Sequence, residues 1–203
     1  MTTIPLSLDG YTELPSDKIA TVVTYLEMHR KPQDRKVIER PDLSLHKVEQ
    51  VDLAVYRHLF RAIGEPWLWF GRLVMSDAEL TQVLQEETRD IYFAMKEGVA
   101  VGLLELDFSF GDNVELAYFG LVPDHIGGGS GRWLMNHAID LAFAKPGIKR
   151  FFVHTCNGDS PQALPFYITS GFAPYKRAIE VADDPRLMGV LDKASAAHIP
   201  VLL

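Results

Sequence analysis

GLVPDHIGGGSGRWLMNHAIDLAF, Gly120–Phe143, is the stretch that decides how this 203-residue chain is read. It runs from an apolar end through three consecutive glycines, a serine and a fourth glycine into a segment with helical spacing. Glycine weakens regular elements, because it has the most backbone freedom to lose. It permits positive φ, and it leaves no Cβ where another group must approach the backbone. A helix N-terminus leaves its first N–H groups unpaired and carries a partial positive charge, so it favours phosphate. Gly127, Gly128, Gly129, Ser130 and Gly131 therefore read as a pyrophosphate cradle, with Arg132 at hand. Two familiar phosphate loops fit poorly. A Walker A loop needs Gly-Lys-Ser or Gly-Lys-Thr, and here Gly131 is followed by Arg132-Trp133. A dinucleotide fingerprint belongs in the first βαβ unit, whereas this loop lies mid-chain.

Working outward, DIYFAMKEGVAVGLLELDFSFGDNVELAYFGLV reads as three strands separated by the turn-like KEG and GDN, an antiparallel meander. After the loop, the helix stops at Pro146-Gly147, KRFFVHTC is a strand, and SPQALPFYITSGF is a short helix closed by Gly171. Asp159 and Ser160 are expected to cap that helix, with Pro161 at its first position. APYKRAIEV is a last strand, and the tail from Asp183 has no definite assignment. On the N-terminal side, Ile19–Met28 is a β-branched strand, Lys31–Asp42 a charged connector and LSLHKVEQ a strand. Val51–Gly64 has helical spacing, with Leu53, Tyr56, Leu59 and Phe60 on one face. Ser76 and Glu79 form a capping box for a second helix. This order predicts an α/β (α+β) chain with a mixed sheet and helices on its faces.

The loop and the later helix together resemble the GNAT acyltransferase superfamily. That family's loop reads Gln/Arg-x-x-Gly-x-Gly/Ala. Here Ile126–Gly131 supplies Gly129 and Gly131 in register, with Ile126 standing where Gln or Arg is usual. The later motif places an aromatic residue in a short helix before Gly-Phe. Here Tyr167 precedes Gly171-Phe172, and Ser160 stands where Asn is common. The resemblance covers roughly Leu43 to Val181. It implies a central mixed, mostly antiparallel sheet flanked by helices, with residues 1–42 as an extension carrying an added strand and 43–203 as the acyltransferase domain. It also implies acetyl-CoA or another acyl-CoA as co-substrate. Backbone groups near Leu121 and Val122 would meet the pantetheine arm, and the amides of residues 127–132 would hold the pyrophosphate. Ser160 joins them as a cofactor-binding residue.

Acyl transfer to an amine needs a base for the amine, donors for the oxyanion and an acid for the leaving thiolate. Glu115 is the candidate base. Period-two alternation puts it on one face with Ala117, Phe119 and Leu121, where partial desolvation would raise its pKa. Tyr167 is the candidate acid, and the resemblance places it near the thioester sulfur. Trp67, Trp69, Phe70 and Arg72 form an unusual patch suited to an aromatic or acidic acceptor, or to anchoring the helices as core. His125 is placed to meet a phosphate or solvent. His154 and Cys156 share a strand face, which reads more readily as packing than as a nucleophile pair.

The bulk numbers exclude other classes. The net charge of −7 offers no basic stripe for nucleic acid. One cysteine excludes a disulfide within the chain and favours a reducing cytoplasm. The histidines lack metal-site spacing, and no apolar run approaches the ~20 residues that span a bilayer. The expected acceptor is a small-molecule amine or a peptide or protein amine, and the expected state is monomer or homodimer. The readings that compete with an N-acyltransferase are an O-acyltransferase and a non-catalytic acyl-CoA-binding module.

Overall fold

Asp52 starts helix α1 (Leu53–Gly64) by accepting from the N–H groups of Ala54 and Val55 at 2.8 and 3.1 Å. A cap of this kind stabilises by about 1 kcal/mol. Tyr56, Leu59, Phe60 and Ile63 are buried, the stripe of a helix laid on a sheet. The helix ends at Gly64 because Trp69 folds back there, and a Cβ on Gly64 would lie 2.3 Å from that of Trp69. Ser76 caps α2 (Asp77–Leu84), and Glu79 returns the bond as the capping box predicts.

The computed structural model describes residues 3–33, 35–36 and 39–202. Asp34, Val37 and Ile38 of the charged connector lie outside the described residues, as do Met1, Thr2 and Leu203. β3 (Arg89–Lys96), β4 (Val99–Phe110) and β5 (Asn113–Leu121) form the expected antiparallel meander, and β2 (Ser44–Lys47) adds to β3. β5 then runs parallel to β6 (Arg150–Cys156), but only from Asn113↔Arg150 to Glu115↔Phe152. β1 (Lys18–Met28) inserts between β6 and β7 (Ala173–Asp183), antiparallel to both. The sheet order is β2-β3-β4-β5-β6-β1-β7, so the last strand reaches the sheet through the first. The result is a mixed, mostly antiparallel sheet flanked by helices.

Helix α3 (Ser130–Ala144) covers one face, packing Leu134 and Ile139 over Leu104, Leu116 and Phe151. Helices α1 and α2 cover the other, over Ile91, Phe93 and Leu103. Beneath them Glu105 is fully buried. It accepts from Tyr56 Oη at 2.7 Å, Arg72 Nη2 at 2.5 Å and Arg89 Nη1 at 2.7 Å, so the buried charge is paired and hydrogen-bonded.

Two local expectations change. Helix α4 (Ala163–Thr169) starts at Ala163, and of the two expected caps only Ser160 serves the turn ahead of it, its Oγ accepting from Gln162 N at 3.3 Å. Asp159 is taken elsewhere. Its Oδ2 accepts from Thr155 Oγ1 at 2.6 Å and Cys156 N at 2.9 Å, and its Oδ1 accepts from Trp69 Nε1 at 3.1 Å. A carboxylate that already closes the end of β6 is not free to cap a helix. The tail resolves into turns held by buried Arg186, which pairs with Asp184 and donates to the carbonyls of Ser195 and Ile199. Leu191 and Ala196 then pack on Leu68. Among the described residues no helix is long and apolar enough to cross a membrane.

Candidate active site

The pairing of β5 with β6 ends at Glu115, and from there the strands part. At the same place β5 carries a β-bulge. Leu106 faces Leu116 and Glu105 faces Tyr118, which leaves Ala117 as the extra residue. The gap between the strands opens into a cavity of about 440 Å³ that runs from the glycine loop to the aromatic segment after α1.

At one end lies the loop. Gly127, Gly128 and Gly129 have φ of 104°, 55° and 88°, a succession that glycine adopts without the strain a side chain would bring. The N–H groups of Gly127, Gly128, Gly129, Gly131 and Arg132 have no hydrogen-bond partner among the described residues. They cluster at the first turn of α3, as a bound anion would require. Ser130 differs from its neighbours. Its N–H and its hydroxyl both donate to Gly127 O at 3.0 Å, so it shapes the loop from within and leaves the cradle to the glycines. Arg132 is exposed beside the cradle, and Ile126 lines the cavity.

The free edge of β5 faces the gap. Val122 N donates to Val101 O at 2.9 Å, and antiparallel ladders alternate bonded and non-bonded pairs. Phe119 and Leu121 therefore turn their N–H and C=O groups toward the opening, where an extended ligand could add as a strand. The expectation for Val122 is corrected: its N–H goes to Val101, and its carbonyl accepts from His125 N at 2.9 Å.

Tyr167 lies on α4 and borders the cavity, among Phe119, Phe166 and Phe172. Its hydroxyl has no hydrogen-bond partner among the described residues. Burial and the nearby Asp159 charge push its pKa upward, so it stays a proton donor at neutral pH. Ser160, on the turn before α4, also lines the cavity.

The face expected for Glu115 is corrected. The bulge at Ala117 inverts the alternation, so Phe119 and Leu121 pack with the α3-side core while Glu115 lies on the opposite face. Its carboxylate lies behind the cavity wall, with Oε1 3.1 Å from His154 Nδ1 on β6. His154 does line the cavity, and its side chain is 45% exposed against 16% for Glu115. The hydrogen bond to Glu115 raises the His154 pKa above its ordinary value, against the opposing effect of burial. Cys156 lines the cavity further along, and its thiol pKa is raised by burial.

At the other end, Trp67, Trp69 and Phe70 form the wall with Tyr118, whose pKa burial pushes up to about 12. Gly120 allows this approach, because a Cβ there would lie 2.3 Å from Ile63 Cγ2 on α1. Arg72 is the correction in this group. Its guanidinium is buried against Glu105 and stacks on the Tyr118 ring at 5.2 Å, outside the cavity lining.

Arg40 escaped the sequence reading. It comes from the segment before β2 and grips the loop, donating through Nη1 to Ser130 Oγ and to Gly128 O at 3.3 Å. Asp42 holds the guanidinium by two bonds, at 2.8 and 2.7 Å. No local pattern announces a contact spanning 88 residues. Thus a cation reaches the loop from the N-terminal segment, while the position within the loop where the family pattern has Gln or Arg is Ile126.

Residues 55–172 match the acetyltransferase (GNAT) family. The chain belongs to that family. Among solved structures, it is similar to a GCN5-related N-acetyltransferase from Sphaerobacter thermophilus (TM-score 0.60, 13% identity, covering 81% of this chain and 52% of that one). It is also similar to a functionally unknown conserved protein from Staphylococcus epidermidis (TM-score 0.57, 12% identity, covering 82% of this chain and 63% of that one). An acetyltransferase from Thermus thermophilus gives a TM-score of 0.51 at 20% identity, covering 70% of this chain and 96% of that one. The chain spans less than two thirds of the length of the first two. No curated protein matches the sequence. At these identities the likeness is one of fold, and family membership supports acyl transfer in general.

Proposed function

We propose that this GNAT protein transfers an acetyl or other acyl group from a coenzyme A thioester directly to an amine. The observation that carries this reading is the set of five unpartnered N–H groups around three positive-φ glycines, opening into a cavity that Tyr167 and His154 both line. The glycine amides and the helix N-terminus hold the pyrophosphate, with Arg132 and Arg40 adding positive charge. Leu121 and Phe119 pair with the pantetheine arm through their open backbone edge, and Ser160 borders the acyl end. The thioester supplies an activated acyl carbon, and the chain's residues manage the protons.

His154 takes the amine proton on Nε2, the nitrogen not bonded to Glu115, as the new C–N bond forms. Glu115 fixes the imidazole through Nδ1 and stabilises the imidazolium, so it serves the reaction from one residue back. As the C–S bond breaks, Tyr167 gives its proton to the sulfur. The products are the acylated amine and the free thiol, and the proton on His154 returns through solvent to the Tyr167 phenolate, which resets both residues. The protein acts as a soluble cytoplasmic enzyme, monomeric or dimeric.

Calorimetric titration with acetyl-CoA tests the reading. Wild-type protein is expected to bind saturably, and Gly129→Glu is expected to abolish binding, since it places a carboxylate in the cradle at φ 88°. No binding to the wild type would remove the cofactor assignment.

A further inference from the structure

The cavity's far end is chemically one-sided. Trp67 and Phe70 supply aromatic wall, His154 lines the same cavity, and two carboxylates border the space, Asp159 and Glu180. Asp159 is committed to Trp69 and the end of β6. Glu180, exposed on β7, has no side-chain hydrogen bond or ion pair among the described residues. Among the described residues no lysine or arginine lines the cavity. Three cations on the segments that carry these residues are engaged elsewhere. Arg72 is locked on Glu105, Arg150 is paired with Glu27 at 2.7 Å, and Lys176 sits over the Tyr25 ring at 3.8 Å.

We infer that the acceptor is an arylalkyl primary amine without a carboxylate. This rests on the acyltransferase reading and names the substrate class of the same site. The aromatic wall would receive a flat apolar body and attract an adjacent ammonium through its π faces. Glu180 would meet the ammonium as it enters, one proton would pass to solvent before attack, and His154 would take the second as the C–N bond forms. A carboxylate on the acceptor would find no cation, and would be placed beside Asp159 and Glu180 at an electrostatic penalty. The one arginine that suggested an acidic acceptor from sequence is consumed by the core.

The test titrates 2-phenylethylamine, L-phenylalanine, 3-phenylpropionate and ethanolamine into protein saturated with CoA, and into protein alone. The amine is expected to bind at least about tenfold more tightly than each of the other three, a ratio within reach of one charge-assisted contact. Glu180→Gln is expected to weaken it about tenfold and leave the CoA titration unchanged. Equal or tighter binding of either carboxylate would overturn the charge argument. Equal binding of ethanolamine would overturn the aromatic one. CoA binding with no binding of phenylethylamine would sink this inference and leave the acyl-CoA reading standing. If CoA itself fails to bind, the cofactor reading falls, and the titrations on protein alone still decide the acceptor chamber.

Discussion

The two ends of the cavity are built in opposite ways. The loop end comes from consecutive residues, 127–132, and presents backbone N–H groups without a partner among the described residues. The proposed acceptor end gathers Trp67, Phe70, Tyr118, His154 and Glu180 from four separated stretches, and it presents side chains. A backbone site tolerates changes in side-chain identity as long as the conformation survives. A side-chain site depends on register, and at this end the register is set by one bulge and one inserted strand.

Breaking the loop should have the largest effect. Gly129→Glu combines a disfavoured φ with charge repulsion, and loss of acetyl-CoA binding by about a thousandfold or more is expected by calorimetry. The next comparison lies in the chemistry. Tyr167→Phe should lower kcat for 2-phenylethylamine about 100-fold with acetyl-CoA affinity kept, because a single proton donor is removed. If kcat is unchanged, the thiolate leaves unaided and Tyr167 is a packing residue.

Arg40→Ala sharpens the comparison by testing whether a distant side chain matters at the backbone end. A loss of about tenfold in CoA affinity is expected, steeper at low salt, with kcat at saturating CoA little changed. The smallest effect concerns pH. His154 is raised above 6.5 chiefly by its hydrogen bond to Glu115, so it is protonated at low pH and becomes a competent base only as pH rises through that raised value. The rate should climb with pH above 6.5 in the wild type, and Glu115→Gln should move that climb toward lower pH. Asp159 and Glu180 also raise the His154 pKa, so the shift in the variant is expected to be partial. An unmoved profile would separate Glu115 from proton transfer.

Legibility in the sequence followed the same division. The meander, the capping box at Ser76, the α1 stripe and the glycine loop are each encoded within a few residues. Their periods or turn residues announce them before any tertiary contact is known. Glu115 was picked out as the candidate base but placed on the wrong face, because strict alternation has no means of registering an extra residue at Ala117. Arg72 resembled a substrate grip until Glu105, 33 residues away, claimed it. Asp159 resembled a cap, yet its lone pairs serve Trp69 and β6.

By itself, then, the sequence determined the glycine loop, the order of elements and the aromatic segment at Trp67–Phe70, since backbone conformation and amphipathic period are local properties. Tertiary structure alone decided which side chains meet. It put His154 against Glu115, carried Arg40 onto the loop, placed β1 between β6 and β7, and brought Glu180 into the same cavity lining as the aromatic wall. Such pairings depend on strand register and on competition among distant partners for each charge, and neither is written in any short stretch of chain.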